Sequence, residues 1–182
     1  MKFPVLETKR LMLIEIKEEH SDDIFRVFSN DKVIEYYGMS PFTQMDQAQN
    51  IIKSFSKNFI EKRSMRWGIV LKDTSEFVGT VGLNNLLLPS KRTEIGYDLI
   101  PDYWRKGIIS EAVEAVIHYC FEELNLYRIG AVTFPENEPS YKLLLKLGFQ
   151  KEGLLRGYIY QNDKSNDAFV FSLIQPDWKK VK

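Results

Sequence analysis

Three short β-type segments follow one another in the middle of the chain and lead into a long helical segment. The β-type segments are residues 67–71 (WGIVL), 77–83 (FVGTVGL) and 92–99 (RTEIGYDL), separated by short polar or proline-containing turns. Strands joined in this way pair antiparallel, so they predict a meander. An amphipathic helix is predicted over about 108–124, with a further strand at 128–134. A helix between two strands is a crossover, which permits one parallel pair in a mostly antiparallel sheet.

The flanking segments complete a mixed α/β (α+β) pattern. A strand is predicted over 6–16, helices at about 20–30, 43–63 and 140–147, and a closing hairpin of strands at 149–160 and 168–174. A chain in which helices and strands follow one another in this order packs its helices against a central sheet. We expect a single domain over residues 1–182, because a chain of this length buries about 70% of its unfolded surface.

Composition excludes several functional classes. The 25 Lys and Arg residues balance 25 Asp and Glu residues, whereas non-specific nucleic-acid binding depends on excess basic charge. No segment approaches the length of a membrane span, and charged residues interrupt the N-terminal apolar run, unlike a signal peptide. The single Cys fits a reducing cytoplasm, and Cys120, His20 and His118 have no zinc-ligand spacing. We therefore expect a cytoplasmic protein without a metal site or a membrane partner.

The loop before the long helix holds Arg105, Lys106 and Gly107. The first N–H groups of a helix lack intrahelical acceptors and lie at the positive end of its dipole, so they bind anions. Gly107 allows the backbone to approach a ligand closely. These residues fit a pyrophosphate, although a basic residue before a helix is often only a solvated turn. The motifs G-x-x-x-x-G-K-[ST], G-x-G-x-x-G and G-x-S-x-G are absent from the sequence.

Four motifs, in order, closely resemble the GNAT superfamily of N-acetyltransferases. They are IGYDL with PDYWRKGIISEA (95–112), N-x-x-S (Asn137 and Ser140), KLGF (146–149) and EGLLRG (152–157). The chain is most similar to the branch of ribosomal-protein-alanine N-acetyltransferases, whose first strand resembles ETKRLMLIEI (7–16). The resemblance implies the GNAT acyl-CoA N-acyltransferase fold. In this fold a central, mostly antiparallel mixed sheet is splayed between two strands and carries helices on both faces.

The same resemblance implies direct transfer of acetyl from acetyl-CoA, as co-substrate, to an amine in a ternary complex. It assigns the pyrophosphate cradle to Arg105, Lys106, Gly107, Ile108, Ile109 and Ser110. A backbone N–H of Tyr97, Asp98 or Leu99 would face the thioester oxygen, where the strand after Ile95 splays from its neighbour. Asn137 would bind the pantetheine. Arg105 stands where relatives often carry Gly, and Ile109 is bulkier than the usual residue.

Two residues are candidates for proton transfer. Glu94, on the strand beside the expected thioester position, is the candidate base, acting directly or through a water. The alternatives are a surface Glu94 paired with a neighbouring basic residue, and Glu152 as the base. Ser140 is the candidate acid for the coenzyme A thiolate, with a helix N-cap as its structural alternative and Tyr141 as the alternative acid.

The acceptor is an amine, and protonation arithmetic favours an α-amine. At pH 7.4 roughly a quarter of an α-amine is free, against about 0.1% of a Lys side chain. We therefore expect a protein or peptide N-terminus as acceptor. The alternatives are a small amine (polyamine, amino acid or aminoglycoside) and a coenzyme A-binding module without turnover. The resemblance also allows a homodimer.

Overall fold

The computed structural model describes residues 2–181, apart from the side chain of Val181, and eight strands within that range form one sheet. The strands are β1 (Leu6–Glu7), β2 (Leu11–Glu15), β3 (Met65–Leu71), β4 (Phe77–Leu87), β5 (Arg92–Leu99), β6 (Arg128–Thr133), β7 (Gln150–Gln161) and β8 (Lys164–Ile174). Their spatial order is β1-β2-β3-β4-β5-β6-β8-β7. In this described part, the pair β5–β6 is parallel and the other neighbours are antiparallel. The predicted mixed α/β class is confirmed.

Six α-helices lie among the described residues. They are α1 (Ser21–Phe28), α2 (Asp31–Ile34), α3 (Met45–Ile60), α4 (Ile108–His118), α5 (Glu138–Lys146) and α6 (Gln175–Val181). Helix α4 is the predicted crossover between the parallel strands. None of the helices in this range is long and apolar enough to span a bilayer.

Several predicted boundaries differ from the structure, and three of them concern elements near the candidate site. The strand predicted over 6–16 is broken by a turn, in which the Thr8 N–H donates to the Leu11 carbonyl (3.0 Å) and the Leu11 N–H donates to the Thr8 hydroxyl (2.9 Å). The helix predicted to Leu124 is α-helical only to His118, because its last turn is π-helical. Helix α5 begins two residues earlier than predicted, at Glu138.

Two hydrophobic clusters cover the two faces of the sheet. One contains the apolar stripe of α4 and buries Cys120 completely, as its place on that stripe predicts. The other is built by α1, α2 and α3. Ile69 packs in the first cluster and Val70 against the second, and adjacent strand residues point to opposite faces. Helices therefore cover both faces, as the family resemblance implies.

Candidate active site

A gap opens between β5 and β6. The two strands pair only from Arg92–Arg128 to Glu94–Gly130, although each continues further. Beyond this point the Leu99 carbonyl accepts a hydrogen bond from the Trp104 indole (2.7 Å), while the Ile100 N–H donates to β4. Peptide groups alternate between the two edges of a strand, so those of Leu99 and Tyr97 point into the gap. The predicted splaying after Ile95 is confirmed.

The loop before α4 has the backbone of an anion cradle. Arg105 and Gly107 both have positive φ angles, 59° and 74°. Gly107 is the residue before the first helical position, and no side chain caps the helix there. The N–H groups of the first helical turn therefore have no side-chain cap, which leaves them available to an anion. Lys106 lies over the Tyr103 ring, with its Nζ 5.1 Å from the ring centre.

The β1–β2 turn braces this cradle. Arg10 donates to the Lys106 carbonyl (2.8 Å) and to the Glu111 carboxylate through Nε (2.6 Å). The hydroxyl of Thr8 donates to the same carboxylate (2.6 Å). Partial burial raises the pKa of Glu111, but the hydrogen bonds from Thr8 and Arg10 outweigh it and lower the pKa overall. A charged Glu111 in the first turn of α4 thus holds the β1–β2 turn, and Arg10 of that turn holds the loop at the Lys106 carbonyl.

Ser140 and Tyr97 lie together on the side of the sheet that carries α4. The Tyr97 phenol oxygen is 2.8 Å from the Ser140 hydroxyl oxygen. Asn137 is the N-cap of α5, and its side chain accepts a hydrogen bond from the Ser140 N–H. Ser140 is therefore not the cap, and this alternative is wrong. Tyr141, the other alternative acid, packs its ring against Phe169 with the centres 6.0 Å apart.

Glu94 lines a cavity on the opposite face of the sheet, because it is an odd number of residues from Tyr97 in the same strand. This Glu94 cavity has a volume of about 440 Å³, and its lining includes Asn85, Arg92, Glu94, Arg128, Gly130 and Val170. Asn85 donates a hydrogen bond to the Glu94 carboxylate (3.1 Å). A Cβ on Gly130 would lie 3.3 Å from the Glu94 Cγ, so this glycine leaves room for the side chain.

Glu152, the alternative base, is bound by its neighbours. Both terminal guanidinium nitrogens of Arg128 donate to its carboxylate, at 2.7 and 2.5 Å, and the Ser172 hydroxyl donates at 2.7 Å. The hydrogen bonds from Arg128 and Ser172 lower the pKa of Glu152 to about 2. So low a pKa makes Glu152 a poor proton acceptor at neutral pH.

Residues 10–150 match the family described as Acetyltransferase (GNAT) domain. The chain belongs to the GNAT acetyltransferase family. It is 48% identical to the uncharacterized N-acetyltransferase YoaA of Bacillus subtilis, over 96% of this chain and 98% of that protein. Together these findings show that it is a GNAT N-acetyltransferase, which confirms the predicted enzyme class.

Other relatives in the GNAT family have different acceptors in their names. A ribosomal-protein-S5-alanine acetyltransferase from Vibrio fischeri has a similar structure, with a TM-score of 0.82, 27% identity, and coverage of 96% of this chain and 98% of that one. The spermidine N(1)-acetyltransferase of Escherichia coli is 24% identical over 84% of this chain and 79% of that protein. The predicted resemblance to the ribosomal-protein branch is confirmed, and these names leave the acceptor open.

Asp98 differs from the other candidate site residues because its side chain is directed away from the gap. Its carboxylate is buried and accepts hydrogen bonds from the Thr80 N–H (2.8 Å), the Thr80 hydroxyl (2.5 Å) and the Tyr37 phenol (3.1 Å). Burial raises the pKa of Asp98, while the nearby Arg66 charge and these hydrogen bonds oppose the shift. The side chain therefore anchors β5 to β4, and only its backbone lies beside the gap.

Sequence reasoning missed Tyr97 as a side-chain partner of Ser140. The prediction used only the backbone of Tyr97, and the two residues are 43 positions apart. It also missed Arg10 and Glu111, which are 101 positions apart. The polar residues that interrupt the apolar 6–16 segment were the available signal for the second pair, because they mark the turn that carries Arg10.

Proposed function

We propose that this GNAT enzyme transfers the acetyl group of acetyl-CoA directly to the α-amine of a protein or peptide N-terminus. The observation that supports this most is the gap beyond Glu94, which is flanked by a carboxylate on one face and a hydroxyl pair on the other. Thioester aminolysis needs a base to take a proton from the amine and an acid to protonate the departing sulfur, and the carboxylate and the hydroxyl pair can supply these two roles.

Acetyl-CoA would lie along the gap. The cradle of Arg105, Lys106, Gly107, Ile108, Ile109 and Ser110 would bind the pyrophosphate through backbone N–H groups and two cations. The backbone of Tyr97, Asp98 and Leu99 borders the acetyl position, where an N–H from Tyr97 or Leu99 would polarise the thioester carbonyl. Asn137 already caps α5, so its remaining amide N–H groups are the part that would reach the pantetheine.

The amine nitrogen would attack the thioester carbonyl carbon from the Glu94 face. The N–C bond forms as the C–S bond breaks. Glu94 takes one amine proton, directly or through a water, and the Ser140 hydroxyl supplies a proton to the departing sulfur. Glu94 then releases its proton to solvent and Ser140 regains one from solvent, so no proton is consumed overall.

Ser140 is suited to this task by its partner. Burial raises the pKa of Tyr97 to about 12, although the hydrogen bond between Tyr97 and Ser140 acts the other way. The phenol therefore keeps its proton at neutral pH and holds the Ser140 hydroxyl in place. Because a free thiol has a pKa near ~8.5, the leaving group needs only modest help.

The charges of the Glu94 cavity favour an N-terminus over a polycation. Three Arg side chains, Arg63, Arg92 and Arg128, line it beside one carboxylate. A polyamine or an aminoglycoside would bring several positive charges next to these guanidinium groups, which is unfavourable. A single α-amine, of which roughly a quarter is free of its proton at pH 7.4, brings one charge at most and needs only Glu94.

A thiol-release assay tests the proposal. Acetyl-CoA is supplied with peptides whose N-termini are free or blocked, with spermidine, with an aminoglycoside and with free amino acids. We expect turnover on free N-termini that disappears on blocking, and its loss in Glu94→Gln. Turnover on spermidine or the aminoglycoside alone would overturn the N-terminal assignment.

A further inference from the structure

Arg92 and Glu94 lie side by side on one face of β5. Side chains two residues apart in a strand point to the same side, and their Cα atoms are about 7 Å apart. Both residues line the Glu94 cavity. A cation and a carboxylate at this separation match a ligand that carries an amine and a carboxylate at a similar distance.

Arg92 is the cation in this cavity that is available to a ligand. Arg63 is paired with Glu61 and Arg128 with Glu152. Arg92 is exposed, and within residues 2–181 its side chain makes no ion pair or hydrogen bond.

The strand register places Arg92 beside a cation that is already paired. Arg92 lies directly opposite Arg128 in the parallel β5–β6 pair. The Glu152 carboxylate already compensates the charge of Arg128, so the charge that remains for an anionic ligand here is that of Arg92. The guanidinium also presents paired N–H groups that fit a carboxylate.

We propose that the Glu94 cavity selects N-terminal peptides whose second residue is Asp or Glu, with Arg92 as the residue that reads this carboxylate. The inference rests on the proposed function, in which the α-amine lies at Glu94. In an extended peptide the α-amine and the side-chain carboxylate of the second residue are roughly 6 Å apart. With the amine at Glu94, that carboxylate reaches Arg92.

The expected preference is modest because Arg92 is exposed. Solvent-exposed ion pairs stabilise a complex by at most about fivefold in a binding constant. The preference should appear mainly in KM, because the carboxylate is bound equally in the ground state and the transition state.

Steady-state acetylation of three peptides that begin Ala-Glu, Ala-Gln and Ala-Lys, and are otherwise identical, tests the proposal. The wild type is compared with Arg92→Ala, Arg92→Glu and the control Lys179→Ala, which removes an exposed cation on the C-terminal helix α6. Free glutamate is a further substrate, to separate a peptide side chain from an amino acid as the source of the carboxylate.

We expect kcat/KM for Ala-Glu to exceed that for Ala-Gln by about fivefold in the wild type and in Lys179→Ala. Arg92→Ala should abolish the preference and Arg92→Glu should shift it towards Ala-Lys. Equal rates on the three peptides, or a preference that survives in Arg92→Ala, would overturn the role of Arg92 and leave the proposed function standing. Turnover on free glutamate without turnover on any peptide would overturn both.

Discussion

The phenol of Tyr97 lies 2.8 Å from the hydroxyl of Ser140 and joins β5 to the first turn of α5. Two elements that are distant in sequence thus meet beside the gap between β5 and β6. Since burial raises the pKa of Tyr97 to about 12, both hydroxyl groups stay protonated in the neutral range. The pair therefore has protons to give and, through its own hydrogen bond, a fixed orientation.

Replacing Ser140 with Ala should lower kcat by about tenfold at pH 7.5, at the low end of acid–base contributions. The difference from wild type should shrink above about pH 8.5, where a free thiolate no longer needs a proton. The measurement is kcat between pH 7 and 9.5. Tyr141→Phe is the control, since that ring packs against Phe169. A loss beyond ~1000-fold would assign Ser140 a different role.

Replacing Glu94 with Gln should lower kcat by about 100-fold, because Gln keeps the shape and accepts no proton. Glu152→Gln is the matched control, since Glu152 is already held by Arg128 and Ser172. We expect the control to keep kcat within a few-fold of wild type. If Glu152→Gln loses the activity instead and Glu94→Gln keeps it, the assignment of the base is reversed.

The free energy of unfolding should depend on pH through Glu152. Hydrogen bonds from Arg128 and Ser172 lower its pKa from 4.5 to about 2 in the folded protein. A carboxylate with a lowered folded pKa stabilises the protein above its unfolded pKa, and the stabilisation is lost as the pH falls from about 4.5 to about 2. Because the side chain is 40% exposed, solvent screening limits this contribution to about 1 kcal/mol.

Urea unfolding of wild type and Glu152→Gln at pH 7 and pH 3 measures this contribution. The wild type should be more stable by about 1 kcal/mol at pH 7, and by less at pH 3. A difference that stays constant between the two pH values would show that the ion pair with Arg128 does not stabilise the fold.

The strands and most helices were predictable because their signals are local. Alternation in 92–99 and the apolar stripe of 108–118 are each complete within one element, and the turns between the central strands are short. The splaying of β5 from β6 came instead from the family resemblance. Nothing local in RTEIGYDL shows that pairing stops after Glu94.

The side-chain partners of the site were not predictable in the same way. Whether Glu94 or Glu152 is free to take a proton depends on Arg128, which reaches Glu152 only because β6, β7 and β8 lie in this order and register. These contacts are set by the sheet, so one sequence does not reveal them. The ion pair with Arg128 argues against Glu152 as the catalytic base, and the role of Glu94 as the base stays a prediction.

Replacing Arg105 with Gly should separate stability from co-substrate affinity. Arg105 has a φ of 59°, a conformation that costs an L-residue about 1–2 kcal/mol and Gly nothing. Gly also loses roughly 0.5–1 kcal/mol through its greater freedom in the unfolded chain. We therefore expect Arg105→Gly to raise the free energy of unfolding by about 0.5–1 kcal/mol in the absence of acetyl-CoA.

The KM for acetyl-CoA should rise several-fold in the same Arg105→Gly variant, because a phosphate loses a guanidinium partner. Urea unfolding and initial rates measure the two effects, and Arg105→Lys, which keeps the charge and the strain, should change neither by much. If Arg105→Gly binds acetyl-CoA as tightly as wild type, the cradle works through backbone N–H groups alone and Arg105 is not part of it.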